Sequence, residues 1–134
     1  MIDRRTAPYA ALLLRLVLGS LFILHLYWKF TIRGFDNWMN GLHDAGYPLP
    51  VVIYVLCAES AGALLLIPGI ATRWVSLFAI PLMVGASQYW LVRKGFYFTV
   101  AGAELPMLWG FALLVQALLG DGAYAFRKSA AGKE

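Results

Sequence analysis

Side chains that carry redox or metal chemistry are scarce in this sequence. Cys57 is the single cysteine, which excludes an intramolecular disulfide and a Cys-x-x-Cys redox pair. The two histidines, His25 and His43, stand too far apart to form a haem-ligand or metal-ligand pattern. No glycine-rich nucleotide fingerprint is present. We therefore expect no metal and no covalently bound cofactor. Any electron transfer would then need a cofactor from elsewhere.

Charge is also scarce. Charged residues make up 13% of the 134 residues and hydrophobic residues 61%, and the mean hydropathy is +0.70. Soluble domains average about 25% charged and about 45–50% apolar residues. The apolar residues form four long blocks, which predicts an integral membrane protein with the lipid bilayer as its partner. The net charge of +4 is small and sits near the block ends, which favours lipid headgroups over nucleic acid.

The four apolar blocks predict four transmembrane helices, at about residues 8–32, 50–67, 74–92 and 104–119. Pro8 suits a first helical turn, whereas Pro81 falls inside the third block and predicts a kink. The basic start at residues 1–6 is not followed by a cleavage site, so we expect a retained span and no signal peptide. Short links between most spans predict one all-α domain, an integral membrane antiparallel four-helix bundle.

The positive residues predict the orientation. One set falls on the side of the chain ends: Arg4, Arg5, Arg73, Arg127, Lys128 and Lys133. A smaller set falls on the other side: Arg33, Arg93 and Lys94, with Lys29 at the border. The positive-inside rule then places both termini in the cytoplasm. Two longer links, residues 33–49 and 95–103, mix aromatic, polar and small residues and are expected at the membrane interface.

One face of the first span carries polar residues. Arg15, Phe22, His25 and Lys29 fall together on a helix with 100° per residue. Polar side chains facing lipid are costly, so this face is expected to turn inward. Arg15 and Lys29 lie near the span ends, where each could instead extend to water. His25 is deeper, and a neutral structural histidine is the alternative to a functional one.

The other spans offer matching polar residues. Glu59 lies about nine residues after Pro50, near the bilayer centre, and could join helices by hydrogen bonds, pair with Lys29 or His25, or exchange protons. Glu104 opens the fourth span, where it could cap the helix or pair with Lys29. Gln88 lies toward the same end of the third span. The candidates for ligand binding or proton exchange are thus His25, Lys29, Glu59, Gln88 and Glu104; no catalytic residue is assigned.

Aromatic residues gather in the same half of the predicted bundle: Trp28, Trp38, Tyr47, Trp90, Tyr97 and Trp109. Tryptophan and tyrosine commonly form belts at membrane–water interfaces. They could also stack on a flat apolar ligand, and spacing alone does not separate these two roles.

Five stretches resemble, in order and spacing, the DoxX family of small four-span membrane proteins: RLVLGSLFILHLYWKF, GYPLP, AESAGALLLIPGIATRW, GAELPMLW and GDGAYAF. The resemblance runs over about residues 12–126. It implies a four-helix bundle in the bacterial cytoplasmic membrane, with Lys29, Glu59 and Glu104 at the positions of the family's lysine and two glutamates. Leu26 departs from the family pattern, which has a glycine three residues before the lysine. Family members are linked to quinone-dependent sulfur oxidation and to membrane oxidoreductase complexes, and many have no established activity.

Three functions follow as hypotheses. The leading one is a membrane subunit or accessory of an oxidoreductase that binds a quinone or a similar lipophilic molecule. Lys29 or His25 would hydrogen-bond a carbonyl oxygen, and Glu59 or Glu104 would exchange the proton that accompanies reduction. The second is transport of a small solute or ion, for which four short spans would need a homo-oligomer. The third is an interaction scaffold whose buried charges serve only specificity and stability.

Overall fold

A computed structural model describes residues 1–126. Within this part every regular element is helical, which confirms the predicted all-α class. Arg127, Lys128 and Lys133, which entered the predicted orientation, lie outside the described residues. The helices are α1 (Ala7–Tyr27), continued by a π-helical turn (Trp28–Ile32), α2 (Phe35–Asp44), α3 (Leu49–Leu65), α4 (Thr72–Lys94) and α5 (Glu104–Leu119), with a 3₁₀ turn at Phe98–Val100.

Two of these helices are long and apolar enough to cross a membrane. They are the continuous helix Ala7–Ile32, with 26 residues, and α4, with 23. The apolar helices α3 and α5 have 17 and 16 residues, whereas a span through hydrocarbon takes about 20. The four-span count and the single-domain assignment therefore stay predictions.

The apolar helices pack in a closed order. α1 contacts α3 and α5, and α4 contacts the same two helices. The side chains of Phe22, Leu66 and Leu113 are fully buried between them. Three members of the face predicted to turn inward, Arg15, Phe22 and Lys29, are buried, while His25 stays exposed beside a cavity.

Phe22 of α1 fills the space between the helices because α3 has a glycine, Gly62, opposite its ring. A Cβ atom placed on Gly62 would lie 2.7 Å from Phe22 Cε2. The other side of the ring packs against Trp109, with centroids 5.0 Å apart. Glycine thus lets α1 and α3 approach closely, as small residues do between helices in lipid.

Tyr54 ties α3 to α4 at the proline of α4. Its hydroxyl donates a hydrogen bond to the carbonyl oxygen of Phe78 at 2.6 Å and accepts one from the backbone N–H of Leu82 at 3.0 Å. These two backbone groups are i−4 partners in a regular helix, and they flank Pro81. The hydroxyl is therefore inserted into the hydrogen-bond ladder at the position where proline disturbs it.

Arg15 is buried and does not extend to water. Its guanidinium donates hydrogen bonds to the carbonyl oxygens of Asp121, Ala123 and Tyr124, the last two at 3.1 Å. The Asp121 carboxylate in turn accepts a hydrogen bond from the backbone N–H of Thr72 at 3.1 Å. Arg15 therefore holds the segment after α5 against the starts of α1 and α4, which is a structural role.

The close contact at Gly62 leads to a first prediction. Gly62→Ala should lower the free energy of unfolding by about 1–3 kcal/mol, because the new methyl group would overlap the ring of Phe22. Gly85→Ala is the matched control, since a Cβ atom there meets no other atom within 4 Å. Thermal unfolding in one detergent measures both variants. Equal melting temperatures for the two would contradict this account of helix packing.

Candidate functional site

A buried charge pair joins the last turn of the long first helix to α3. Lys29 lies in the π-helical turn, a local widening that is frequent at functional sites. Its Nζ atom is 2.5 Å from Oε2 of Glu59 on α3, and the two side chains are only 2% and 6% exposed. Glu59 is therefore the partner of Lys29. Pairing with Lys29 or His25 was one of the three roles that the sequence left open for Glu59.

A cavity of about 200 Å³ lies beside this pair, between α1, α2, α3 and α4. His25, Lys29, Arg33 and Glu59 are polar residues of its lining. Most of the other large side chains around it are aromatic: Trp28, Trp38, Tyr47, Tyr54, Tyr89 and Trp90. A cavity of about 150 Å³ in another protein takes up benzene. This pocket therefore has room for one six-membered ring with small substituents.

α2 covers the pocket. Its Trp38 is buried, and the Lys29 Nζ atom lies 3.8 Å from the centroid of the indole ring, within the range of a cation–π interaction. Gly34 precedes α2 and Gly46 follows it, both with a φ of +87°, a conformation that glycine adopts at little cost. These glycines let the chain turn into and out of a helix that lies across the ends of the longer ones.

The structure brings together three of the five predicted residues. His25, Lys29 and Glu59 line the pocket, and the imidazole of His25 also meets the ring of Trp109 edge-on at 5.1 Å. Gln88 is exposed on α4 and does not line this pocket. Glu104 accepts a hydrogen bond from the backbone N–H of Phe98 at 2.9 Å. It fastens the 3₁₀ turn to the start of α5, and the pairing of Glu104 with Lys29 is not observed.

Sequence reasoning did not include Arg33 and Tyr54 among the candidate residues of the site. Arg33 lines it, and a signal was available, because Arg33 follows Lys29 by four residues and so lies on the same helical face. Tyr54 also lines it. No pattern pointed to Tyr54, since its position depends on the hydrogen bonds it makes beside Pro81 on another helix.

A family comparison covers this whole site. The DoxX family model matches residues 10–94, which include every residue lining the pocket and exclude Glu104. The chain belongs to the DoxX family. No curated protein and no solved structure matches it. This DoxX protein is accordingly a helical membrane protein whose apolar outer surface would contact the lipid bilayer, and the part matched by the family carries its pocket.

The buried pair gives a second prediction. Lys29→Met or Glu59→Leu alone should lower the free energy of unfolding by about 3–5 kcal/mol, because each leaves an uncompensated charge in an apolar interior. The double variant Lys29→Met/Glu59→Leu should regain most of that loss, since it leaves no charge behind. Unfolding of all three in the same detergent forms a double-mutant cycle. Strictly additive losses would show that the two side chains do not interact.

Proposed function

We propose that this DoxX protein binds a quinone or a similar lipophilic ring compound, as a membrane subunit or accessory of an oxidoreductase. One observation carries the proposal: an aromatic-walled cavity of about 200 Å³ that ends at the buried pair of Lys29 and Glu59. Binding sites for small molecules are mostly apolar cavities with a few polar groups that fix orientation. This pocket has that composition.

Three polar residues of the pocket then have a role. The ammonium group of Lys29 donates a hydrogen bond to a carbonyl oxygen of the ring, with His25 as a second donor on the same side. The carboxylate of Glu59, which lines the same cavity, exchanges the proton that accompanies reduction. The proposal assigns no role to Glu104, whose carboxylate accepts a hydrogen bond from the 3₁₀ turn and does not line this pocket.

The architecture that we propose for this function is an antiparallel four-helix bundle of α1, α3, α4 and α5 across the bacterial cytoplasmic membrane. The contacts of α1 and α4 with both α3 and α5 support it. The cytoplasmic placement of both termini depends on the positive charges of Arg127, Lys128 and Lys133. In residues 1–126 three positive residues fall on the side of the chain ends, Arg4, Arg5 and Arg73, against Arg33, Arg93 and Lys94 on the other.

Transport is less well supported than binding. A path along the interior would have to pass Phe22, which is completely buried between Gly62 and Trp109. An interaction scaffold keeps one observation in its favour, since Lys29 and Glu59 already pair with each other across two helices. The scaffold predicts a stable protein that binds no ring compound, so a direct binding measurement separates it from our proposal.

Binding of duroquinone tests the proposal, and its fully methylated ring prevents addition to the thiol of Cys57. The protein in lipid nanodiscs is titrated by calorimetry, with empty nanodiscs as the blank. Lys29→Met/Glu59→Leu should weaken binding at least about tenfold, the effect of losing roughly 1.4 kcal/mol. Gln88→Ala is the control, because Gln88 does not line this pocket.

Heat of binding no larger than that of empty nanodiscs would refute the proposal and support the scaffold. Equal affinity in the wild type and the double variant would remove the pair of Lys29 and Glu59 from the site.

A further inference from the structure

Arg33 is a second cation of the pocket, and the proposed binding of a neutral ring does not use its charge. It follows Lys29 by about one helical turn and caps the π-helical turn. Its guanidinium lies over the ring of Trp28, 5.6 Å from the centroid, and lines the cavity. It also passes close to α2, where a Cβ atom on Gly41 would lie 2.9 Å from Nη2. Glycine at position 41 therefore makes room for this side chain.

The Nε–H group of Arg33 lacks a partner. The Nε atom is buried, and no atom among residues 1–126 accepts a hydrogen bond from it. A buried donor without an acceptor is unfavourable, and charged donors more so than neutral ones. The guanidinium group of Arg33 is therefore incompletely paired at the edge of the cavity.

The charges around the cavity do not balance. Lys29 and Arg33 are positive, and among residues 1–126 Glu59 is the single acidic residue that lines the cavity. The Glu59 carboxylate is already in contact with Lys29. The charge of Arg33 thus has no counter-charge within the lining, and a neutral ligand would not supply one.

We propose that Arg33 binds an anionic group on the ligand, so that the pocket selects single-ring lipophilic acids over their neutral isosteres. This inference rests on the proposed function, in which the pocket holds a ring. Guanidinium groups bind carboxylates through paired, charge-assisted hydrogen bonds. Arg33 follows Lys29 by four residues, and both side chains line the same cavity. The acidic group therefore meets Arg33 while the opposite edge of the ring faces Lys29 and His25.

Benzoate and benzamide test this selection, because they have nearly the same shape and differ in charge at neutral pH. Each is titrated into the protein in nanodiscs of zwitterionic lipid, alongside duroquinone. Wild-type protein should bind benzoate about tenfold or more tightly than benzamide. Arg33→Gln should abolish this preference, so that benzoate and benzamide bind with affinities within about threefold of each other. Arg93→Gln is the matched control, since Arg93 stacks on Tyr89 at 3.8 Å and does not line the cavity.

Three results would overturn the inference: equal affinity of the wild type for benzoate and benzamide, a benzoate preference that survives Arg33→Gln, or an equal loss in Arg93→Gln. If duroquinone binds and benzoate does not, the inference fails and the proposed function stands. If none of the three compounds binds, both fail.

Discussion

The pair of Lys29 and Glu59 is the interaction on which the rest of the site depends. Two opposite charges lie 2.5 Å apart with side chains that are almost completely buried. Removing both from water is expensive, and their attraction offsets that cost only when the contact is close. Hydrophobic residues of similar size often hold helices together about as well. Our proposal gives the pair a second role, as polar groups of the adjacent cavity.

The surrounding structure keeps this pair enclosed from three directions. Phe22 fills the space opposite Gly62 and separates the pair from the Arg15 end of the molecule. Trp38 of α2 covers the ammonium group. Tyr54 binds the backbone of α4 beside Pro81, so that α3 and α4 meet along the pocket wall. Each contact restricts water, and a low dielectric strengthens the interaction of the pair with any polar ligand group.

Much of this arrangement could be predicted because lipid imposes strong rules on sequence. Long apolar blocks indicate helices, and charged residues inside them must face inward or reach water, which identified Lys29 and Glu59. The same rule left open whether Arg15 faces inward or reaches water. Its burial depends on hydrogen bonds to carbonyl oxygens of residues 121–124, more than 100 positions away. The helical form of α2 was not predicted, although its apolar residues have the i, i+3, i+4, i+7 spacing of an amphipathic helix: Phe35, Trp38, Met39 and Leu42. Glu104 and Lys29 were predicted at the same depth in the membrane. Depth alone did not determine whether Glu104 or Glu59 would contact the ammonium group of Lys29.

A crystal structure of the protein grown in a lipidic mesophase and soaked with duroquinone tests the central claim most directly. Our account predicts ring-shaped density in the cavity between Trp38 and Tyr54, with a carbonyl oxygen within hydrogen-bonding distance of Lys29 Nζ and the carboxylate of Glu59 beside it. A collapsed cavity, with Lys29 and Glu59 in contact and duroquinone bound elsewhere or absent, would contradict it.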